Sequence, residues 1–290
     1  MVMETIGGIK IRRHGTEGPV VIVLHGGPGA PGSAEELAAG ISDVFRVIEP
    51  WQRKSGAADS LTVAGHISDL HAVVRAVRDG QQQPALVGES WGAMLALAYA
   101  AEYPSEAGAV VLVGCGTFDR ESRSTGVRIR EKRIAEYIAQ HPESADDLDL
   151  DLNDRIMKWH EMTDTYRAIS SPARSGSMEF DEKGFAETWN DMLQCQQAGM
   201  YPSAFANIIS PVLMLHGSYD PHPGSMIRDS LNKYISRLEY RELEQCGHQP
   251  SIEMFAREDF FFIVKDWLLQ KAAFHKSKGM KRTIESRDTS

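Results

Sequence analysis

The chain has 290 residues, 42% of them hydrophobic, and a formal net charge of −9. That is enough apolar material for a large core in one sizeable domain, or in one domain carrying an insertion. The acidic balance argues against nucleic acid or an anionic membrane as partner, since either requires clustered Lys and Arg. Residues 1–14 hold no apolar run long enough for a signal-peptide core or a membrane span, so a cytoplasmic protein is expected. Cys115, Cys195 and Cys246 lie far apart without metal-ligand spacing, which predicts free thiols rather than a disulfide framework or a metal centre. Cys246 is read as a packing residue.

Gly8 to Arg13 alternates weakly and reads as an early strand. After a glycine turn, Val20-Val21-Ile22-Val23-Leu24 is the continuous β-branched run of a strand buried on both faces of a parallel sheet. It ends in His25-Gly26-Gly27-Pro28-Gly29, a loop at the strand's carboxyl end. His25 is read there as a loop anchor. Phe45 to Pro50 is a third strand candidate. Over Leu61–Val77, apolar residues at Val63, Ile67, Leu70, Val73, Val74 and Val77 follow helical spacing and predict a helix. His66 and His71 are assigned to its polar or boundary surface.

The next apolar run, Ala85-Leu86-Val87, leads into Gly88-Glu89-Ser90-Trp91-Gly92 and an alanine- and leucine-rich helix. Strand, Gly-x-Ser-x-Gly and helix in succession predict a nucleophile elbow: a strained turn that holds a serine hydroxyl above the sheet, with the flanking glycines admitting close neighbours. The Trp91 N–H at the helix start and the Gly27 N–H in the earlier loop are the expected donors to an oxyanion.

Ala109 to Val113 is another buried strand, and strands alternating with helices at this spacing place the chain in the α/β class. From Phe118 to Asn207 the pattern is charged and helical, with an acidic run from Glu143 to Asp154. This segment is read as an inserted helical cap, 118–207, between core segments 1–117 and 208–275. Most of the net negative charge falls in it, 17 acidic residues against 11 basic. The sheet resumes at Pro211–Gly217, followed by Ser218-Tyr219-Asp220. Leu238 to Leu243 is a further strand, leading into Gly247-His248, and an amphipathic helix follows to about Leu269. Residues 276–290 lack apolar periodicity and are expected to form a frayed polar tail.

Ser90, Asp220 and His248 occur in the order Ser, Asp, His, each in a loop after a strand. A serine that attacks at neutral pH needs a base and an acid that fixes the base's tautomer, and these three supply the set. His222 competes with His248 but, two residues from Asp220, is placed to rim the site. Glu242 and Glu244 are fallback acids whose alternation suggests a sheet face. No His, Asp and Glu cluster has metal spacing and no glycine loop matches a nucleotide fingerprint, so neither metal nor cofactor is expected.

These residues resemble the α/β-hydrolase superfamily and, within it, the proline iminopeptidase group of serine peptidases. The resemblance is carried by His25-Gly26-Gly27-Pro28-Gly29, by Gly88-Glu89-Ser90-Trp91-Gly92 continuing through Ala96-Leu97-Ala98-Tyr99-Ala100 to Tyr103-Pro104, by Gly217-Ser218-Tyr219-Asp220 and by Gly247-His248. One departure stands out: where the family carries Asp-Gln-Arg-Gly-x-Gly-x-Ser, Trp51-Gln52-Arg53-Lys54-Ser55-Gly56 keeps only Gln52, Arg53 and Gly56 in register. The resemblance implies an α/β-hydrolase fold and release of a small N-terminal residue such as proline from a short peptide, with the free amine bound by cap carboxylates. Glu161 and Glu187 are the candidates. The alternatives are an esterase or amidase for small acyl substrates and, from another class, a low-turnover small-molecule binding protein of the same fold.

Overall fold

The computed structural model describes residues 2–56, 59–80, 82–144, 158–169 and 180–285. Strands β1 (Val2–Ile6), β2 (Ile9–His14) and β3 (Val20–Leu24) are followed by helix α1 (Glu35–Ile41), β4 (Arg46–Trp51), α2 (Val63–Val77), β5 (Ala85–Glu89), α3 (Trp91–Glu102) and β6 (Val110–Val113). Then come α4 (Arg120–Gln140), a π-helical turn His160–Asp164, α5 (Glu182–Gln197) and a 3-10 turn Ser203–Asn207. The chain closes with β7 (Val212–Gly217), α6 (Gly224–Leu231), β8 (Leu238–Leu243), a 3-10 turn Pro250–Ile252 and α7 (Arg257–Glu285).

The eight strands form one sheet in the order β1-β2-β4-β3-β5-β6-β7-β8. The pairs β1–β2 and β2–β4 are antiparallel and the remainder parallel. β1 was not legible as a strand; it exists because Gly7 and Gly8, at φ 57° and 86°, make the tight reversal that pairs Ile6 with Ile9. The central strands are apolar throughout because both faces are covered. Ile22, Leu24, Leu86, Leu112 and Met214 point into one core with α2 and α3. Their alternates Val21, Val23, Val87, Val113 and Leu215 point into the other, with α1 and the first half of α7. Helix α3 is buried from Trp91 to Ala101, which explains why it is apolar all round instead of on one stripe.

Two expectations change. His66 is 3% exposed, not on a polar surface, because α5 lies over that side of α2 and Thr188 Oγ1 meets its Nε2 at 3.0 Å. The tail expected from 276 continues α7 to Glu285; Lys, Met, Arg and Glu sustain a helix once it is started, with or without apolar spacing. The acidic run of 143–154 lies outside the described residues from 145 onward, as do 286–290 of the tail. Among the described residues between β6 and β7 there is no strand, only an isolated bridge from Ala168 to Glu253.

Candidate active site

Ser90 stands between β5 and α3 at φ 55° and ψ −115°, a conformation that L-residues adopt only under constraint. The constraint comes from both sides. Its N–H donates to Val113 O of the neighbouring β6 at 2.8 Å, and the flanking glycines leave no room for anything larger: a Cβ on Gly88 would strike Gly92 O, and one on Gly92 would strike Leu24 O. Gly-x-Ser-x-Gly is therefore a packing requirement of this turn.

β3 and β5 are adjacent, with Leu24 opposite Gly88, so the loop leaving β3 meets the turn leaving β5. A Cβ on Gly26 would lie 3.3 Å from Ser90 Cβ and 3.9 Å from Ser90 Oγ. His25 anchors this loop as expected: fully buried, it accepts from Gln52 N at Nε2 (3.0 Å), which leaves Nδ1–H to donate to Gly26 O (2.8 Å). Burial pushes its pKa down, keeping it neutral. Gln52 also receives Trp91 Nε1–H at 2.7 Å and donates to His25 O at 3.1 Å. One side chain thus ties the loop after β4 to both segments that carry Gly27 and the Trp91 N–H. The Trp91 N–H belongs to the first turn of α3, whose donors lack partners within the helix.

Asp220 and His248 arrive from the loops after β7 and β8, and His248 Nδ1 donates to Asp220 Oδ2 at 2.8 Å. Asp220 is fully enclosed yet held far below the usual carboxylate range: burial opposes its charge, but His248, His216 and His222 outweigh it. Its other oxygen accepts from His222 N and Nδ1, both at 2.9 Å, while His216 Nε2 is 3.1 Å from Oδ2. For His248, burial likewise opposes charge and is overcome by Asp220 and then Asp164, so its pKa is raised to about 9. The imidazole lies over the end of β6, where a Cβ on Gly114 would sit 2.6 Å from His248 O and 3.0 Å from Nδ1. Ser90, Gly114 and His248 are thereby brought to one rim, without a hydrogen bond between Ser90 Oγ and the imidazole. Cys246 is buried with its thiol pushed up by burial, in keeping with packing. Glu242 and Glu244 are exposed.

Three residues that the sequence did not mark complete the surroundings. Asp164, 3% exposed in its side chain, accepts the His248 N–H on its main-chain oxygen at 2.6 Å. Its carboxylate meets His160 Nδ1 at 2.7 Å and Arg130 Nε at 3.1 Å. Arg130 Nη2 is also 3.2 Å from His222 Nε2, and the His160 ring stacks parallel to His248 with centroids 6.4 Å apart. No local motif announces these residues, because α4 and the π turn meet the His248 loop only in the folded chain.

Asp220, His222 and His248 offer ligand atoms within 4.8 Å of one another, a donor set that a transition metal accepts. Arg130 opposes this. A guanidinium only donates, so His222 Nε2 accepts and the proton resides on Nδ1, the atom that a metal at Asp220 would need.

The two carboxylates expected to bind an amine are engaged elsewhere. Glu161 is exposed, with Oε2 3.3 Å from Lys158 Nζ. Glu187 accepts Leu61 N–H at 2.9 Å and faces Lys183; together with Asp191, which accepts Val63 N–H at 2.7 Å, it closes the N-terminus of α2.

A model of the alpha/beta hydrolase fold matches residues 19–254. Among characterised proteins the chain is similar to a 2-hydroxy-6-oxononadienedioate/2-hydroxy-6-oxononatrienedioate hydrolase of Paraburkholderia phymatum, 38% identical over 122 residues, or 38% of this chain; the match spans only 42% of that relative's length. It is also similar to a proline iminopeptidase of Lactobacillus helveticus, 23% identical over 282 residues, covering 88% of this chain and 91% of the relative. The structure of a proline iminopeptidase from Mycobacterium smegmatis superposes with a TM-score of 0.65 at 18% identity, covering 94% of this chain and all of that one.

Proposed function

The chain belongs to the alpha/beta hydrolase fold family, and on that premise we propose that it is a serine hydrolase working through an acyl-enzyme on Ser90. The observation that carries this reading is the buried Asp220–His248 pair, 2.8 Å apart, on the same rim as a serine held at φ 55°. Ser90 Oγ attacks the substrate carbonyl while His248 Nε2 takes its proton, and Asp220 holds the Nδ1–H tautomer and stabilises the imidazolium. The oxyanion is received by the Gly27 and Trp91 N–H groups. Collapse returns the proton from His248 to the leaving group, and water, deprotonated by the same imidazole, releases the acid and restores Ser90.

Residues 118–207 are read as a cap over this rim. The engagement of Glu161 with Lys158 and of Glu187 with α2, beside Arg130 and His160 on the His248 side, supports small acyl substrates whose recognition needs no ammonium group. The second reading, release of an N-terminal residue from a short peptide, is supported by the iminopeptidase relatives and by the His-Gly-Gly-Pro-Gly and Glu-Ser-Trp-Gly segments. Steady-state hydrolysis of proline and alanine aryl-amides beside short acyl esters separates the two. Esters turned over by the native chain and lost in Ser90→Ala by at least about a thousandfold give the first reading. Free-amine amides turned over in preference to N-acylated ones give the second. Turnover unchanged in Ser90→Ala overturns both.

A further inference from the structure

From α4, Arg130 touches a neighbour of each half of the Asp220–His248 pair. From α4 its Nη2 addresses His222 Nε2 at 3.2 Å, and His222 Nδ1 bonds Asp220 Oδ1 at 2.9 Å. Its Nε bonds Asp164 Oδ1 at 3.1 Å, and Asp164 O holds the His248 main chain at 2.6 Å. We propose that Arg130 is a positioning residue for the serine hydrolase reaction, bracing the Asp164 turn that seats His248 and placing a permanent positive charge against the His222–Asp220–His248 cluster. The proposal rests on the serine-hydrolase reading above.

The chemistry follows from what each group is able to do. His222 accepts from the guanidinium, so it donates to Asp220 and lowers the negative charge that the carboxylate directs at His248. Asp220 Oδ1, which only accepts, keeps the His222 proton on Nδ1 with or without Arg130, so removing Arg130 takes away the donor at Nε2 and leaves that bond in place. Asp164 loses its Arg130 partner and keeps His160 and the Thr163 hydroxyl. That loss and the removal of a nearby positive charge both favour the His248 imidazolium. The groups that face His248 and its carboxylate partners are Asp220, His216 and His222 from the β7 side, Asp164 and His160 from the π turn, and Arg130 and Arg133 from α4. Of the two permanent cations, Arg133 spends a donor on Thr163 O and Arg130 bonds the Asp164 carboxylate and His222. Because α4 lies between β6 and β7 in the chain, the same contact makes the state of the triad depend on where that helix sits.

The test uses the full chain and a fluorophosphonate probe, which reacts at an activated serine with formation of the Oγ–P bond, loss of fluoride and transfer of the serine proton to His248. The rate of labelling is followed against pH for the native chain, Arg130→Met and Arg130→Lys, with histidine 15N spectra recorded on the same samples. The acid limb is expected to move up by about one pH unit in Arg130→Met, so that labelling at neutral pH falls about tenfold. The 15N titration of His248 is expected to move up with the limb, and Arg130→Lys to restore both in part. A limb and a His248 titration both unmoved in a folded Arg130→Met chain overturn the proposal, as does a fall in rate with no shift of the limb, which is what a merely structural role gives. Labelling that persists in Ser90→Ala instead defeats the serine reading, and the His248 titration then still decides whether Arg130 acts on the imidazole.

Discussion

Gly114 is constrained in two ways at once. At φ 53°, with His248 lying directly over it, it is the floor on which the imidazole rests. Gly114→Ala meets two penalties, about 1–2 kcal/mol for an L-residue in the left-handed region and a collision with His248 O and Nδ1. His248 must yield with its main chain as well as its imidazole, so kcat is expected to fall about a hundredfold, the effect of an ångström-scale misplacement. Thermal unfolding should show a loss of no more than a few kcal/mol; wild-type kcat in this variant would mean that His248 has another resting place. Gly114 had no motif to mark it, in contrast with Gly88 and Gly92, whose spacing around Ser90 announces the elbow directly.

At the scale of elements, α5 is fastened to the sheet domain along much of its length. Asp181 starts it, capping Gly184 N–H at 3.0 Å and accepting Ser55 Oγ–H and N–H at 2.6 Å each, while its own N–H reaches Gly29 O at 2.8 Å. About two and three turns further on, Glu187 and Asp191 cap the N-terminus of α2. Negative charge at a helix N-terminus completes its unpaired donors and opposes its dipole. Asp191→Ala is therefore expected to cost about 1 kcal/mol in chemical denaturation while leaving kcat within about twofold. A larger loss of kcat than of stability would show that α5 positions substrate. By contrast α4 reaches the site through Arg130, whose partners His222 and Asp164 touch Asp220 and His248 directly. Chain order and composition made 118–207 legible as a helical segment, but which of its carboxylates face a ligand and which cap a helix depends on packing that periodicity does not encode.

For the molecule as a whole, four buried histidines set the dependence of stability on pH. Burial lowers His25, and lowers His66 and His222 each to about 4, from an ordinary value of 6.5. Each contributes stability that is complete above 6.5 and lost as pH falls below it, because the unfolded chain takes up protons that the folded one refuses. At full shift this is on the order of 3 kcal/mol for each of His66 and His222. His248 acts in the opposite sense: raised to about 9, it contributes stability that is complete below 6.5 and lost as pH rises through 9. Tm is accordingly expected to peak near pH 6.5 and fall on both sides, more steeply on the acid side, where three groups act together. A scan by differential calorimetry from pH 4 to 9 measures this, and a Tm still rising at pH 8 contradicts it. Among the described residues no helix is long and apolar enough to cross a membrane.

The α/β class, the parallel strands and the reactive candidates were legible in the sequence because those features are local: β-branched runs, a glycine spacing, an acid or histidine just past a strand end. The sequence was silent on β1, misplaced His66 and stopped α7 short, since a two-residue turn, a covering helix and propensity without amphipathicity leave little or no apolar period to read. That Asp220 is shared among three histidines, that Glu187 caps a helix, and that Arg130 and Asp164 flank His248 were settled by packing alone. Those arrangements join residues up to 126 positions apart, and no short-range pattern constrains a contact that exists only once the sheet has brought distant segments together.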